Sequence, residues 1–340
     1  MLRAGVIGYG PAGRGLHCPL LTGAGFFIAA ICSRTLEKRT VAQRDFPLAA
    51  IVSDANELVA EDLDLVVVAS SNDVHIEHAR LAIDAGIAVV VDKPLANDYY
   101  QTREIFDYAA ARNVPLTVFF NRLWDSDTLT IQKLLLGDEI GEVIRHESRF
   151  ERFRPNHDDS AWRETFSHEI GGGLLLDLQT HLIANSLALF GPAELVFASV
   201  RTIRARSDDD SVIALRHHNG VESYLSVSAV SGAPGPRVRI NGTRGAFIAS
   251  ELDPQEQLLS AGLRPTSDGW SDPKAATGEF RIHKGKDSYS YSGVPGNAVT
   301  FYNQMREVLA NGAKLPVAPE FAISVAEIID AARAYQVGIR

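Results

Sequence analysis

The sequence predicts two domains of different class, a doubly wound α/β domain over residues 1–121 and an α+β domain over residues 122–340. Three observations carry this. The first third of the chain alternates short all-apolar runs with longer amphipathic ones, as in a parallel sheet covered on both faces. After Asn121 the apolar runs follow one another and are joined by Asn-Gly pairs, as in a largely antiparallel sheet. With 340 residues, 46% of them hydrophobic and 22% charged, there is enough chain for two cores without a disulfide or metal staple.

In chain order, the predicted strands of the first domain are Ala4–Ile7, Phe26–Cys32, Ala49–Val52, Leu65–Ala69, Ala88–Val91 and Leu116–Phe120. Helices are predicted between them, among them Asp73–Ala85 and Asp98–Arg112, the latter with Tyr100, Ile105, Tyr108 and Ala109 on one face. In the second domain a helix over Thr128–Leu136 stops at Gly137, and Glu142–Phe153 alternates as a strand. Three glycines then lead into a long apolar helix, Leu174–Phe190, closed by Gly191-Pro192. About five β-rich runs follow between Leu195 and Ser250, with Asn219-Gly220 and Asn241-Gly242 as hairpin turns. Gly262–Gly278 reads as a long loop. Helices at Val299–Ala310 and Ala322–Tyr335 finish the chain and are expected to pack back on the first domain.

The formal net charge of −9 argues against a nucleic-acid binder, which needs a basic face. No apolar run is long enough for a membrane span. The N-terminus enters a strand without the cationic lead and cleavage site of a secretory signal. Together with only two cysteines, Cys18 and Cys32, this points to a reducing, cytoplasmic setting.

Gly8-Tyr9-Gly10-Pro11-Ala12-Gly13 fits G-x-G-x-x-G between a predicted strand and a predicted helix, the context in which this pattern binds a dinucleotide. Gly8 allows the tight turn, Gly10 the approach of a pyrophosphate, and Gly13 close helix–strand packing. The helix N-terminus adds free N–H groups and partial positive charge. An NAD site would place an acid about 20 residues further on. Here the chain reads Cys32-Ser33-Arg34-Thr35, so Ser33 can donate a hydrogen bond and Arg34 can pair a 2′-phosphate, with Arg39 one turn on. NADP is favoured, with NAD the alternative.

Further stretches sharpen the reading: Ser70-Ser71-Asn72-Asp73-Val74-His75, Asp92-Lys93-Pro94, and Gly171-Gly172-Gly173 running on to Asp177 and His181. With the glycine motif, they resemble the glucose–fructose oxidoreductase / inositol dehydrogenase / rhizopine-catabolism (Gfo/Idh/MocA) family over essentially the whole chain. The segments Asn121–Asp127, Pro234–Arg237, Asp253–Glu256 and Pro295–Asn297 are most similar to its branch of NADP-dependent scyllo-inositol dehydrogenases. The resemblance implies a Rossmann domain, a C-terminal domain with a large open sheet, and a homodimer or homotetramer built through that sheet. It implies hydride transfer between nicotinamide and a secondary alcohol of a sugar or cyclitol. It also implies catalytic roles for Lys93, Asp177 and His181, and cofactor contacts from Ser70, Ser71, Asn72, His75, Asp92 and Lys93. Two positions depart from the family pattern. Asp92 stands where a glutamate usually reaches the ribose, and Ala184 stands where this branch often carries an acid.

The residue chemistry agrees with these roles. Oxidising a secondary alcohol needs proton loss from oxygen, and a histidine titrates near neutral pH, so His181 is the candidate general base. Lys93, at a parallel strand's carboxyl end, can stabilise alkoxide charge. Asp177 lies four residues before His181, on one helix face, and can hold the imidazole tautomer or bind a substrate hydroxyl. Asn121, Arg122, Trp124, Arg154 and Trp162 are candidate polyol contacts, with packing the alternative role. His75 and His78 lack companions at metal-site spacing and are read as helix-start and surface residues, His217-His218 as exposed, and no metal site is expected. Two rivals remain: reduction of another carbonyl, such as a dihydrodiol or biliverdin-type substrate, and a non-catalytic NADP-sensing regulator.

Overall fold

The structure is a computed structural model that describes residues 1–204, 206–267, 270 and 278–335. Six strands, β1 (Arg3–Ile7), β2 (Phe27–Cys32), β3 (Ala50–Val52), β4 (Leu65–Val68), β5 (Ala88–Asp92) and β6 (Leu116–Phe119), pair entirely in parallel in the order β3-β2-β1-β4-β5-β6. That is the dinucleotide-binding Rossmann order. All of β4 (Leu65-Val66-Val67-Val68) is buried, as a β-branched run must be when helices cover both faces. Helices α1 (Cys18–Gly23), α2 (Leu36–Asp45), α3 (Ala55–Val59), α4 (His75–Asp84) and α5 (Tyr99–Ala110) provide the crossovers. Asp54 and Asp98 cap α3 and α5, accepting the N–H of Asn56 and Gln101 at 2.7 Å each. The buried face of α5 is Thr102, Ile105, Phe106 and Ala109; Tyr100 is exposed, so the face expected from the aromatic spacing is rotated.

The second sheet has eight strands: β7 (Val143–Glu151), β8 (Ala193–Arg201), β9 (Asp210–His217), β10 (Glu222–Ser228), β11 (Val238–Gly242), β12 (Gly245–Ala249), β13 (Phe280–Lys284) and β14 (Asp287–Ser290). Their order is β14-β13-β12-β11-β7-β10-β9-β8, antiparallel except for the β7–β10 pair. One face is covered by α6 (Ser126–Leu135) and α8 (Thr180–Phe190), separated in the chain by the short α7 (Trp162–Thr165), with Ile131, Leu134, Phe190, Ile240, Phe247 and Ile282 in a shared core. The β11–β12 turn is Thr243-Arg244, two residues later than expected, because Asn241 and Gly242 are still paired with Ala246 and Gly245. Sequence reading missed β13 and β14. Of the expected loop Gly262–Gly278, residues 268–269 and 271–277 lie outside the described residues.

Compact units do not follow chain order. Met1–Asn121, Glu256–Trp270 and Ala298–Ile323 cluster as one, taking in most of α9 (Gln255–Ser260), α10 (Val299–Asn311) and the start of α11 (Pro319–Tyr335). Arg122–Gln255, β13 and β14 belong to the other. No helix among the described residues is long and apolar enough to cross a membrane.

Candidate active site

In the first unit, the glycine loop follows β1 as the motif requires. Gly8 has φ +103°, and a Cβ there would strike the Ala69 backbone; a Cβ on Gly13 would strike the Gly8 carbonyl oxygen. Gly10 faces open space, the approach a pyrophosphate needs. These three glycines fit a dinucleotide. The helix after them begins with a π-turn, Gly13–His17, before α1. Tyr9 is buried, its hydroxyl donating to Asp45 Oδ2 at 3.0 Å, so its side chain ties the loop to α2. Pro11 and Gly10 edge a cavity of about 910 Å³ that also touches Arg14 and Lys38. Ala12 is the residue before the π-turn.

At the end of β2, Ser33 is buried and Arg34 is exposed. Arg39 works inward: its Nη1 donates to the carbonyls of Ser33 and Arg34, at 2.9 and 2.7 Å. It therefore holds the turn that presents Arg34. After β4, Ser70 and Ser71 lead into a 3-10 turn (Asn72–Val74), with Asn72 buried. His75 opens α4 and is buried, its Nδ1 and Nε2 at 2.8 and 3.2 Å from the Pro94 and Ser70 carbonyls. It clamps the loops after β4 and β5, and burial lowers its pKa. His78 is half-buried, with Nδ1 3.0 Å from the Ser70 hydroxyl. Lys93 follows β5, half-buried. Asp92 before it accepts the Lys93 main-chain N–H at 2.9 Å. Asn121 donates to Glu256 Oε1 at 3.2 Å.

In the second unit, Gly171-Gly172-Gly173 fits the chain under two neighbours. A Cβ on Gly172 would strike the Phe166 carbonyl, and one on Gly173, at φ +93°, would strike the Asp208 carboxylate. Asp208 accepts the Leu175 N–H at 2.7 Å, so it caps the following helix from a distant part of the chain. Burial raises its pKa against that bond. A π-turn, Leu175–Gln179, precedes α8, and Gln179 is tied to the sheet through the Leu225 carbonyl and the Ser211 hydroxyl. Asp177 sits in this turn, with Arg163 Nε at 3.3 Å from its Oδ1. Neither Arg163 nor Asp208 was legible, since both partnerships are long-range.

His181 is buried on α8, its ring 6.0 Å from that of Phe150. The Arg237 guanidinium lies 3.8 Å from the same phenyl ring. Of the candidate polyol contacts, Arg122 is buried in a 3.0 Å ion pair with Asp125. Trp124 is half-buried, its carbonyl accepting from Asn297 N–H at 2.8 Å. Trp162 is half-buried under Arg163 at 4.4 Å, and Arg154 is exposed. His217 is buried, not exposed: its Nε2 is 2.9 Å from both the Ser186 and Ser223 hydroxyls, with His146 3.1 Å from Ser223. His218 beside it is exposed.

Comparison with known proteins agrees on both units. Residues 2–120 match the oxidoreductase family with an NAD-binding Rossmann fold, and residues 128–248 match the GFO/IDH/MocA C-terminal domain. The uncharacterized oxidoreductase YdgJ of Escherichia coli is 33% identical over 97% of this chain and 94% of its own length. The scyllo-inositol 2-dehydrogenase (NADP(+)) IolW of Bacillus subtilis is 32% identical over 97% of this chain and 92% of its own. The solved structure of YPO2259 from Yersinia pestis superposes with a TM-score of 0.88 at 32% identity, covering 99% of this chain and 95% of that one. The chain belongs to the Gfo/Idh/MocA oxidoreductase family and is an NAD(P)-dependent dehydrogenase or reductase.

Proposed function

We propose that the protein interconverts a secondary alcohol and a ketone on a cyclitol or sugar, scyllo-inositol-like, with NADP preferred over NAD. The observation that carries the cofactor reading is Arg34, exposed at the end of β2 where an NAD site would carry an acid. A full-length relative named as an NADP-dependent scyllo-inositol dehydrogenase supports the substrate class.

The nicotinamide, when bound, gives or takes the hydride. The chain's own residues manage the oxygen and its proton. The Lys93 ammonium stabilises negative charge developing on the reacting oxygen. His181 accepts the hydroxyl proton on a ring nitrogen. Asp177, also held by Arg163, keeps the imidazole oriented or accepts a substrate hydroxyl. Assembly as a homodimer or homotetramer belongs to the same reading. Val212, Tyr224 and Phe197 are exposed on strands of the second sheet, and a second copy would cover them. The cytoplasmic setting is supported by Cys18 and Cys32, both free and buried.

The test is direct. The protein is mixed with NADP⁺ or NAD⁺ and a panel of cyclitols and sugars, and absorbance of the reduced cofactor is followed. Reduction of NADP⁺ by scyllo-inositol or a close relative is the expected result. Tight NADPH binding with no turnover on any polyol or carbonyl would instead make the chain a cofactor sensor.

A further inference from the structure

His17 ends the π-turn that follows the glycine loop and is fully buried. Neither the motif nor the proposed chemistry uses it. Its ring packs on Phe119, with centroids 4.7 Å apart, and Phe119 stacks on Tyr302 of α10. Nδ1 lies 2.5 Å from the Tyr302 hydroxyl. Nε2 lies 3.8 Å from Oδ1 of Asp92 and has no hydrogen-bond partner among the described residues. That same Oδ1 accepts the main-chain N–H of Lys93 at 2.9 Å.

A histidine that only filled the core would leave an expensive polar atom buried without return. Here Nε2 faces Asp92, whose carboxylate accepts the Lys93 main-chain N–H. Burial works to raise the Asp92 carboxyl, but His17, Lys93 and His75 overcome it and hold it at about 2, so it is an anion at neutral pH. Burial pushes the Tyr302 phenol up, so it stays protonated, able to donate to Nδ1 and leave the proton on Nε2. Side-chain length matters too. An aspartate is short enough to fold back onto the next N–H of its own chain, whereas a glutamate, one methylene longer, does not share that geometry.

We propose that His17 and Asp92 form a positioning pair for Lys93: the imidazole, braced by Tyr302, holds the carboxylate inward, and the carboxylate holds the Lys93 main chain at the end of β5. The short acid thus serves the lysine rather than the cofactor ribose. This rests on Lys93 acting at the reacting oxygen, and the test keeps the two ideas apart.

The cofactor-free full chain is compared with its His17→Gln, Asp92→Asn and Asp92→Glu variants. The first readout is hydrogen exchange of the Lys93 main-chain amide relative to that of Val91. It should speed up by about tenfold or more in all three variants, the scale of one lost hydrogen bond. The second is the ¹⁵N imidazole spectrum, in which Asp92→Asn should move the His17 Nε2 resonance and Tyr302→Phe the Nδ1 resonance. The third is turnover of scyllo-inositol with NADP⁺. Here kcat should fall about 10- to 100-fold, as for a misplaced catalytic group. NADPH affinity should stay within about twofold, and the His17→Gln/Asp92→Asn double variant should be no slower than either single.

Unchanged Lys93 exchange or an unmoved Nε2 resonance would overturn the pair. Additive losses in the double variant would do so as well. If Lys93→Met leaves turnover intact, or the parent oxidises no polyol, the catalytic reading fails, and exchange and imidazole spectra still decide whether the pair holds the lysine. Asp92 is only partly buried, so Asp92→Asn keeps the test open if His17→Gln does not fold.

Discussion

Two helices of this protein start in the same way, from a glycine cluster into a π-turn, and they owe that start to different parts of the chain. After β1, Gly13 packs on Gly8, five residues earlier, and the π-turn Gly13–His17 follows. Before α8, Gly172 and Gly173 pack on Phe166 and on Asp208, the latter thirty-odd residues away, and the π-turn Leu175–Gln179 follows. The first start is local and could be read as a motif. The second is glycine-rich for a reason that only the folded chain supplies. Each π-turn carries a residue given a proposed role above, His17 in the first and Asp177 in the second.

The largest expected effects lie on the second helix. His181→Asn should lower alcohol oxidation by about 10²–10⁴ and remove the acidic limb of the pH–rate profile, measured by steady-state kinetics. Asp177→Asn should move that limb to lower pH if the carboxylate supports the imidazolium. A raised KM with the limb in place would instead assign Asp177 to substrate. If the two residues act as a unit, the double variant costs much less than the summed single effects. Additivity would separate them.

Next come the glycines, which test the comparison itself. Gly13→Ala should cost about 3 kcal/mol or more, because the methyl meets backbone that cannot yield, and thermal melts would read it. Gly10→Ala meets open space, so it should leave stability unchanged and weaken only cofactor binding. Gly173→Ala combines left-handed backbone with a collision on a side chain, for about 1–3 kcal/mol. Should Gly10→Ala and Gly13→Ala destabilise equally, the local account of the first start is wrong.

Arg34→Ala should weaken NADP by ~1.5–3 kcal/mol and leave NAD nearly untouched, as titration of both cofactors would reveal. Arg39→Ala should weaken NADP through disorder of the turn it holds, with a smaller effect. Asp208→Ala, which removes the acceptor, sharpens the long-range side of the comparison. Loss of this cap should lower stability by about 1 kcal/mol, on the same melts.

The last prediction concerns pH. Burial, with His217 and Arg237 nearby, pushes His146 down to about 3, far below the usual histidine value. The unfolded chain then binds a proton that the folded one refuses. Stability is complete above about pH 6.5 and is lost as the pH falls toward 3. Denaturant titrations of His146→Leu should show a shallower decline across that window. A slope equal to the parent's would remove His146 from the acid response.

Legibility followed the range of the interactions. The six parallel strands and the glycine loop were readable because apolar runs and βα turns are set by neighbours in sequence. The Asn-Gly pair at 241–242 misplaced a turn by two residues, since pairing with Ala246 and Gly245 extended the strand past its usual breaker. His217 was read as exposed because it lies beside a turn, yet three-dimensional packing surrounds it with Ser186 and Ser223. Asp92 was legible as a shortened acid, but not its turn toward His17.

By itself, then, the sequence determined the class of each half, the dinucleotide loop, and the residue types at Lys93, Asp177 and His181, because periodicity, turn chemistry and motif spacing are local. Tertiary structure alone decided which groups those residues lean on: Arg163 against Asp177, Asp208 at the start of the helix that carries His181, and Tyr302 behind His17. Each of these partners is brought in from a distant part of the chain. Burial then makes a well-placed partner count for more than it would in water, and no local pattern in the sequence records that.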